Sequence, residues 1–203
     1  MRNYVERAKD FIAEVFPYIE NHLDSPWALR NHIRQYNADY TRHVLVANGS
    51  ARVALITSDY VIKWDYDDDS AEEIGGCRNE VYLYDLALKD GFAYLFAEIT
   101  PFSFNGHDFY IMPRIRYIND NNGRGWNYMT DKERVWCEAH YLVDLHCNNF
   151  GFRNGKICIV DYAYQSDETE EEESPFSSLF QTTSPHFCTS YFTNRTSNRT
   201  SYR

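Results

Sequence analysis

Asp144, Asn149 and Asp161 are the residues of this chain best placed to do chemistry. They stand within residues 141–164, YLVDLHCNNFGFRNGKICIVDYAY, between apolar runs. All three are competent as metal ligands, and the carboxylates also as bases. Asp161 follows the run Ile157-Cys158-Ile159-Val160, where a carboxylate is costly unless it meets a cation or hydrogen-bond donors. A second pair lies earlier. Glu80 shares helical spacing with Tyr84, Ala87 and Leu88, so it points with an apolar stripe toward the core. A carboxylate there needs a cation, and Lys63 on the preceding strand is the natural one. Glu73, on the same face, is the fallback.

Turn and periodicity signals supply the elements that position these groups. Asn154-Gly155 is a hairpin signal, since both residue types tolerate φ > 0. It joins the short apolar run 150–152 to the β-branched run 157–160, which reads as a buried strand. Residues 2–22 carry Val5, Ala8, Phe11, Ile12, Val15, Phe16 and Ile19 at helical spacing, and Pro17 is expected to kink or end that helix. Ser25-Pro26 opens a second helix over 27–36. Both helices read as a scaffold packed on a sheet. Runs 43–47, 51–57 and 60–65, separated by Asn48-Gly49-Ser50 and Ser58-Asp59, read as an antiparallel meander. After a polar break at 67–70, a helix is expected over 71–89, or only from Cys77, because Gly75-Gly76 weakens its start. Two more strands, 94–104 (interrupted by Pro101) and 107–116, flank Asn105-Gly106. Residues 119–125 read as a polar connector. Thr130-x-x-Glu133 is a capping box opening a helix through about Tyr141, with Val135, Ala139 and Leu142 on one face.

On these residues a resemblance appears. Asp144-Leu145-His146-x-x-Asn149 resembles the catalytic loop of protein kinases and of the kinase-like small-molecule phosphotransferases. Its D-x-H-x-x-N form is similar to that of aminoglycoside and choline kinases and of the early serine/threonine kinase of short-tailed bacteriophages. Asp161-Tyr162-Ala163 stands where the family has D-F-G, and Val61-Ile62-Lys63 resembles the end of the strand that carries V-A-I-K. Leu142 replaces the usual His of the loop, and Gly49 matches one glycine of the glycine-rich loop.

The resemblance implies an α+β, minimal protein-kinase-like fold: a five-stranded antiparallel N-lobe sheet with one helix, and a truncated C-lobe. It implies ATP and Mg²⁺ as cofactors. Lys63, paired to Glu80, would hold the phosphates beneath the Gly49 hairpin. Asn149 and Asp161 would hold Mg²⁺, and Asp144 would take the acceptor hydroxyl's proton. His146 would organise the loop, whereas His140 reads as an ordinary helix residue. Met112 would lie near the gatekeeper position, with Pro113-Arg114-Ile115 as a hinge whose backbone contacts adenine. The expected divisions are an N-terminal helical segment (1–42), an N-lobe (43–118), a truncated C-lobe (119–164) and an acidic, then Ser/Thr/aromatic-rich tail without a fixed fold (165–203).

Composition bounds the rest. At 203 residues, 43% hydrophobic and 17% aromatic, the chain can bury a sizeable core. A formal net charge of -10 argues against a general nucleic-acid binder, which carries a basic stripe. The Cys residues are odd in number and lack C-x-x-C spacing, so reduced, cytoplasmic thiols are expected, in host cytoplasm if the source is viral. No membrane span or leader is expected. The leading expectation is a small viral or bacterial ATP-dependent serine/threonine kinase acting on a protein substrate or host protein, with autophosphorylation included. A small-molecule kinase, a pseudokinase acting as a binding module, and an unrelated α+β protein are the alternatives. Oligomeric state stays open.

Overall fold

Tyr60, Ile62 and Trp64 alternate with Val61, Lys63 and Asp65, so one strand offers an apolar face and a face bearing charge. That division organises the computed structural model of the chain. β1 (Leu45–Asn48), β2 (Arg52–Ile56), β3 (Tyr60–Asp65), β4 (Thr100–Phe104) and β5 (His107–Pro113) form one antiparallel sheet in the order β1-β2-β3-β5-β4. The chain divides into units Met1–Asp167 and Glu168–Arg203. The structure describes residues 3–49, 51–66, 76–117, 125–140, 142 and 149–162, all in the first unit. The expected break at 67–70, the connector 119–124, the loop residues Asp144 and His146, the fallback Glu73 and the tail lie outside the described residues.

α1 (Tyr4–Ile19) and α2 (Pro26–Tyr40) pack on one face of the sheet. Phe11, Ile12, Phe16, Leu29 and Ile33 meet Leu55, Ile62, Trp64, Phe109 and Ile111 in one buried cluster. The Trp64 indole N–H donates to the Leu23 carbonyl at 2.9 Å, which pins the α1–α2 connection to the sheet. Pro17 lies inside α1 without ending it. Its ring removes the bond to the carbonyl of Ala13, an exposed residue whose carbonyl can turn to water. A 3-10 turn, Glu20–His22, then follows. α2 runs to Tyr40, past the expected end, and stops where Thr41 turns left-handed at φ 52.

α3 (Cys77–Asp90) is inserted between β3 and β4. It starts at Cys77, as the Gly75-Gly76 argument anticipates. Its first N–H is satisfied from the end of β3: both Asp65 carboxylate oxygens accept from the Cys77 N–H at 3.1 Å, and the negative charge suits a helix N-terminus. Gly91, at φ 80, closes it by donating to the Ala87 and Leu88 carbonyls. The buried face carries Cys77, Glu80, Leu83 and Ala87, whereas Leu88 is exposed, so the stripe is phased on Leu83 rather than Leu88.

The expected strand 94–104 is shorter. Residues 93–95 form a 3-10 turn, and Phe96 and Ala97 leave the five-stranded sheet for a different partner. The Ala97 N–H donates to the Ile159 carbonyl at 2.8 Å. Pro101 sits in β4, an edge strand, where a missing N–H is tolerated. Asn105 (φ 49) and Gly106 (φ 82) form the β4–β5 turn, and Asn154 (φ 54) and Gly155 (φ 76) form the second hairpin.

That second hairpin joins β7 (Phe150–Arg153) to β8 (Lys156–Ile159), and β6 (Arg116–Tyr117) pairs with β7. α4 (Asp131–Ala139) begins with the expected box, Thr130 N–H donating to Glu133 Oε2 at 2.6 Å. Its expected face is displaced. Val135 and Ala139 are exposed, while Trp136 and Cys137 are buried; Leu142, the third residue of the expected face, is buried just past the helix end. Trp136 stacks on Phe92 and donates its indole N–H to Asp90 at 2.9 Å, which sets the helix rotation. Cys77, Cys137 and Cys158 are free and buried. No described helix is long and apolar enough to cross a membrane.

Tyr162 ties the end of the described chain back to this core. Its ring meets Phe96 edge-on at 4.9 Å and its hydroxyl donates to the Ala97 carbonyl at 2.8 Å. Tyr162→Phe removes the hydroxyl partner of that buried carbonyl and is expected to cost about 1–2 kcal/mol, read as a lower urea midpoint at unchanged slope.

Candidate active site

The sheet face turned away from α1 and α2 opens onto a cleft of about 450 Å³. Gly49 lines it from the β1–β2 loop, Ala54 from β2, Val61 and Lys63 from β3, Met112 from the end of β5 and Ile115 just beyond it, and Asn149 and Asp161 from either side of the second hairpin. Apolar side chains therefore occupy one part and charged groups another.

The charged part is a closed network. The Lys63 ammonium donates to Glu80 Oε1 at 2.8 Å, to Glu80 Oε2 at 3.2 Å and to the Val160 carbonyl at 3.0 Å. Glu80 is 0% exposed, and its Oε1 also accepts from the Tyr162 backbone N–H at 3.3 Å. Arg52 Nη1 reaches Asp161 Oδ1 at 2.8 Å and Glu80 Oε1 at 3.5 Å. Lys63 Nζ lies 4.0 Å from the same Asp161 oxygen. Two cations thus face two carboxylates, as burial of charge demands.

The electrostatics keep Lys63 and Asp161 ionised at neutral pH. Burial pulls the Lys63 ammonium down, but Glu80 and then Asp161 outweigh it and hold it above its ordinary 10.5. Burial pushes the Asp161 carboxyl up, yet Lys63 and Arg52 outweigh that and hold it below its ordinary 3.8. Burial raises Glu80 above 4.5, with Lys63 opposing.

The structure brings Lys63, Glu80 and Asp161 into one network, with Asn149, Gly49, Met112 and Ile115 on the same cleft. Asp144 and His146 lie outside the described residues. Asn149 is buried, and its carbonyl accepts from the Val160 N–H at 2.8 Å, bracing the hairpin below Lys63. Asp161 is about 40% exposed on the side-chain scale, so its carboxylate is open to a ligand in the cleft. These oxygens fit Mg²⁺, a hard cation commonly held by one or two carboxylates together with substrate phosphates. Among the described residues, no group of three or more His, Cys, Asp and Glu offers a self-sufficient metal cage.

Arg52 is the residue that sequence reading missed. Its signal was available: it precedes the alternating Val53-Ala54-Leu55 and pairs with Asp65, so it shares a sheet face with Ala54 and Lys63. Gly49 is present but is not conformationally required. Its φ is outside the left-handed range, and a Cβ there would meet nothing within 4 Å. Gly49→Ala is expected to change stability by less than about 0.5 kcal/mol, read by thermal melting.

No protein-family model and no curated protein matches the chain. Solved structures that resemble it over 66% of its length include the following three. One is the Legionella pneumophila Lpg2603 kinase bound to IP6, at 14% identity and a TM-score of 0.42 over 52% of that chain. Another is the streptomycin–ATP–APH(2")-IIa ternary complex, at 11% identity and 0.37 over 70%. The third is choline kinase LicA from Streptococcus pneumoniae, at 12% identity and 0.36 over 68%. The chain spans about half the length of the Legionella kinase. The likeness is coarse at these scores. The kinase-like character of the fold stands on its own topology, a five-stranded antiparallel sheet with α3 inserted after β3, and on the strand lysine paired to that helix's glutamate.

Proposed function

We propose that this chain is an ATP-dependent phosphotransferase that moves the γ-phosphate to a hydroxyl group. The observation that carries the reading is the buried Lys63–Glu80 pair at 2.8 Å, set 4.0 Å from a partly open Asp161 in a cleft with an apolar end. An apolar slot suits a planar base, and a charged end suits polyphosphate. In this reading Glu80 fixes the lysine's direction, and Lys63 neutralises phosphate charge. Asp161 and Asn149 hold Mg²⁺, which when bound neutralises charge on the phosphate oxygens. Asp144 orients the acceptor hydroxyl and takes its proton, with His146 organising that loop. Met112 and Ile115 border the base. Catalysis is then mostly positioning and charge compensation.

A Ser or Thr hydroxyl of a protein is the first acceptor reading. It extends to host proteins and to the chain's own Ser/Thr-rich tail, in a cytoplasmic setting and in a phage or bacterial source. The Asp144-x-His146-x-x-Asn149 spacing favours a second reading, a small-molecule acceptor. The test supplies Mg²⁺ and γ-labelled ATP with either a mixed protein substrate or a panel of amino alcohols and aminoglycosides, beside Asp144→Ala. Label on Ser or Thr that Asp144→Ala abolishes supports the first reading, and label in a small molecule supports the second. No label in any acceptor, with nucleotide still bound, would leave a pseudokinase.

A further inference from the structure

Lys63 has little left to offer a ligand in this arrangement. Its ammonium already donates to Glu80 Oε1 at 2.8 Å, Glu80 Oε2 at 3.2 Å and the Val160 carbonyl at 3.0 Å, which matches its supply of N–H donors. Arg52 is different. Among the described residues, its ion pairs to Asp161 and Glu80 both run through Nη1, leaving the rest of the guanidinium fork unused by them. Arg52 lines the cleft beside Gly49, and its carbonyl closes the β1–β2 loop by accepting from the Gly49 N–H at 2.8 Å. Its side chain is 17% exposed, so a ligand in the cleft can reach it.

We propose that Arg52 is a phosphate-binding residue of this cleft, the cation that turns from Asp161 to the phosphates when Mg–ATP enters. The inference rests on the nucleotide-site reading above and names a residue which that reading did not include. Asp161 Oδ1 now receives Arg52 at 2.8 Å. A divalent cation on the same carboxylate would sit against the guanidinium, and the like charges repel. The polyphosphate arriving with the metal is the anion that compensates the displaced arginine. A planar fork suits it, because guanidinium and phosphate oxygens can pair through two parallel bonds. The cleft then keeps its charge balance in both states: carboxylate against arginine when empty, metal against carboxylate and arginine against phosphate when filled.

Calorimetric titration of Mg–ATP and of adenosine into the wild type, Arg52→Gln and Arg52→Lys tests this. Arg52→Gln is expected to lose about tenfold or more in Mg–ATP affinity, the worth of one charged hydrogen bond, with adenosine affinity unchanged. Arg52→Lys should recover part of the loss. Unchanged or tighter Mg–ATP binding by Arg52→Gln would show that the arginine only shields Asp161, and would overturn the proposal. Equal losses for Mg–ATP and adenosine would place its effect in the fold and overturn it too. A wild type that binds neither ligand would overturn the nucleotide-site reading itself, and this inference with it.

Discussion

Lys63→Met is expected to destabilise the fold by about 3–5 kcal/mol, because it leaves the Glu80 carboxylate buried without its main cation. Arg52, 3.5 Å from Glu80 Oε1, remains as a weaker partner and favours the lower end of that range. The double variant Lys63→Met/Glu80→Leu should recover most of the loss, since exchanging a whole buried pair for apolar side chains is often neutral. Neither variant should transfer phosphate. The pH dependence separates this cause from simple loss of packing. Burial already raises the Glu80 carboxyl, and Lys63 is the first group opposing it. Without Lys63 the folded-state value rises further above the unfolded one, so the folded state binds the extra proton. Stability then falls as pH rises through the unfolded value toward the folded one, and the penalty shrinks in acid. Urea denaturation at pH 5 and pH 8 should show the larger deficit at pH 8. A deficit independent of pH would place the effect in packing instead.

Asp161→Asn is the second large effect, and it falls on activity. The substitution keeps the side chain's shape but removes the charge that faces Lys63 and Arg52. Loss of a group that positions charge at the reacting phosphate costs about 10²–10³ in turnover. The stability cost should be present at neutral pH and disappear in acid. The wild-type carboxyl is held below its ordinary 3.8 by Lys63 and Arg52 against burial. Its contribution is therefore present above the unfolded value and disappears as pH falls through the folded one. Wild type and variant should differ in urea midpoint at pH 7, and the difference should shrink as pH falls through the folded-state value. A turnover equal to the wild type's would remove Asp161 from the phosphate chemistry.

Much of the sheet was legible because its signals are local. Asn105-Gly106 and Asn154-Gly155 announce turns that only residues tolerant of φ > 0 make without strain, and both turns are present. The Lys63–Glu80 pair was legible because a carboxylate on an apolar helix stripe must find a cation. The errors arose where tertiary packing decides. α4 has nine residues, too few for periodicity to fix its rotation, and the stacking of Trp136 on Phe92 chose a different face. The segment around Phe96 looks like strand, and its backbone does pair, but with Ile159 far along the chain. Arg52 reads alone as a solvated strand-end arginine. Only the folded sheet shows that it meets a carboxylate supplied from beyond the second hairpin.

The central claim is that one cleft, built on Lys63, Glu80 and Asp161, handles ATP phosphates. Its most direct test is release of the γ-phosphate from labelled ATP in Mg²⁺ by purified wild type, to any acceptor including the chain itself, beside Asp161→Asn. Transfer by the wild type and a loss of about 10²-fold or more in the variant is the predicted result. Transfer at equal rates by both proteins would contradict it, and so would a wild type that neither transfers label nor binds the nucleotide.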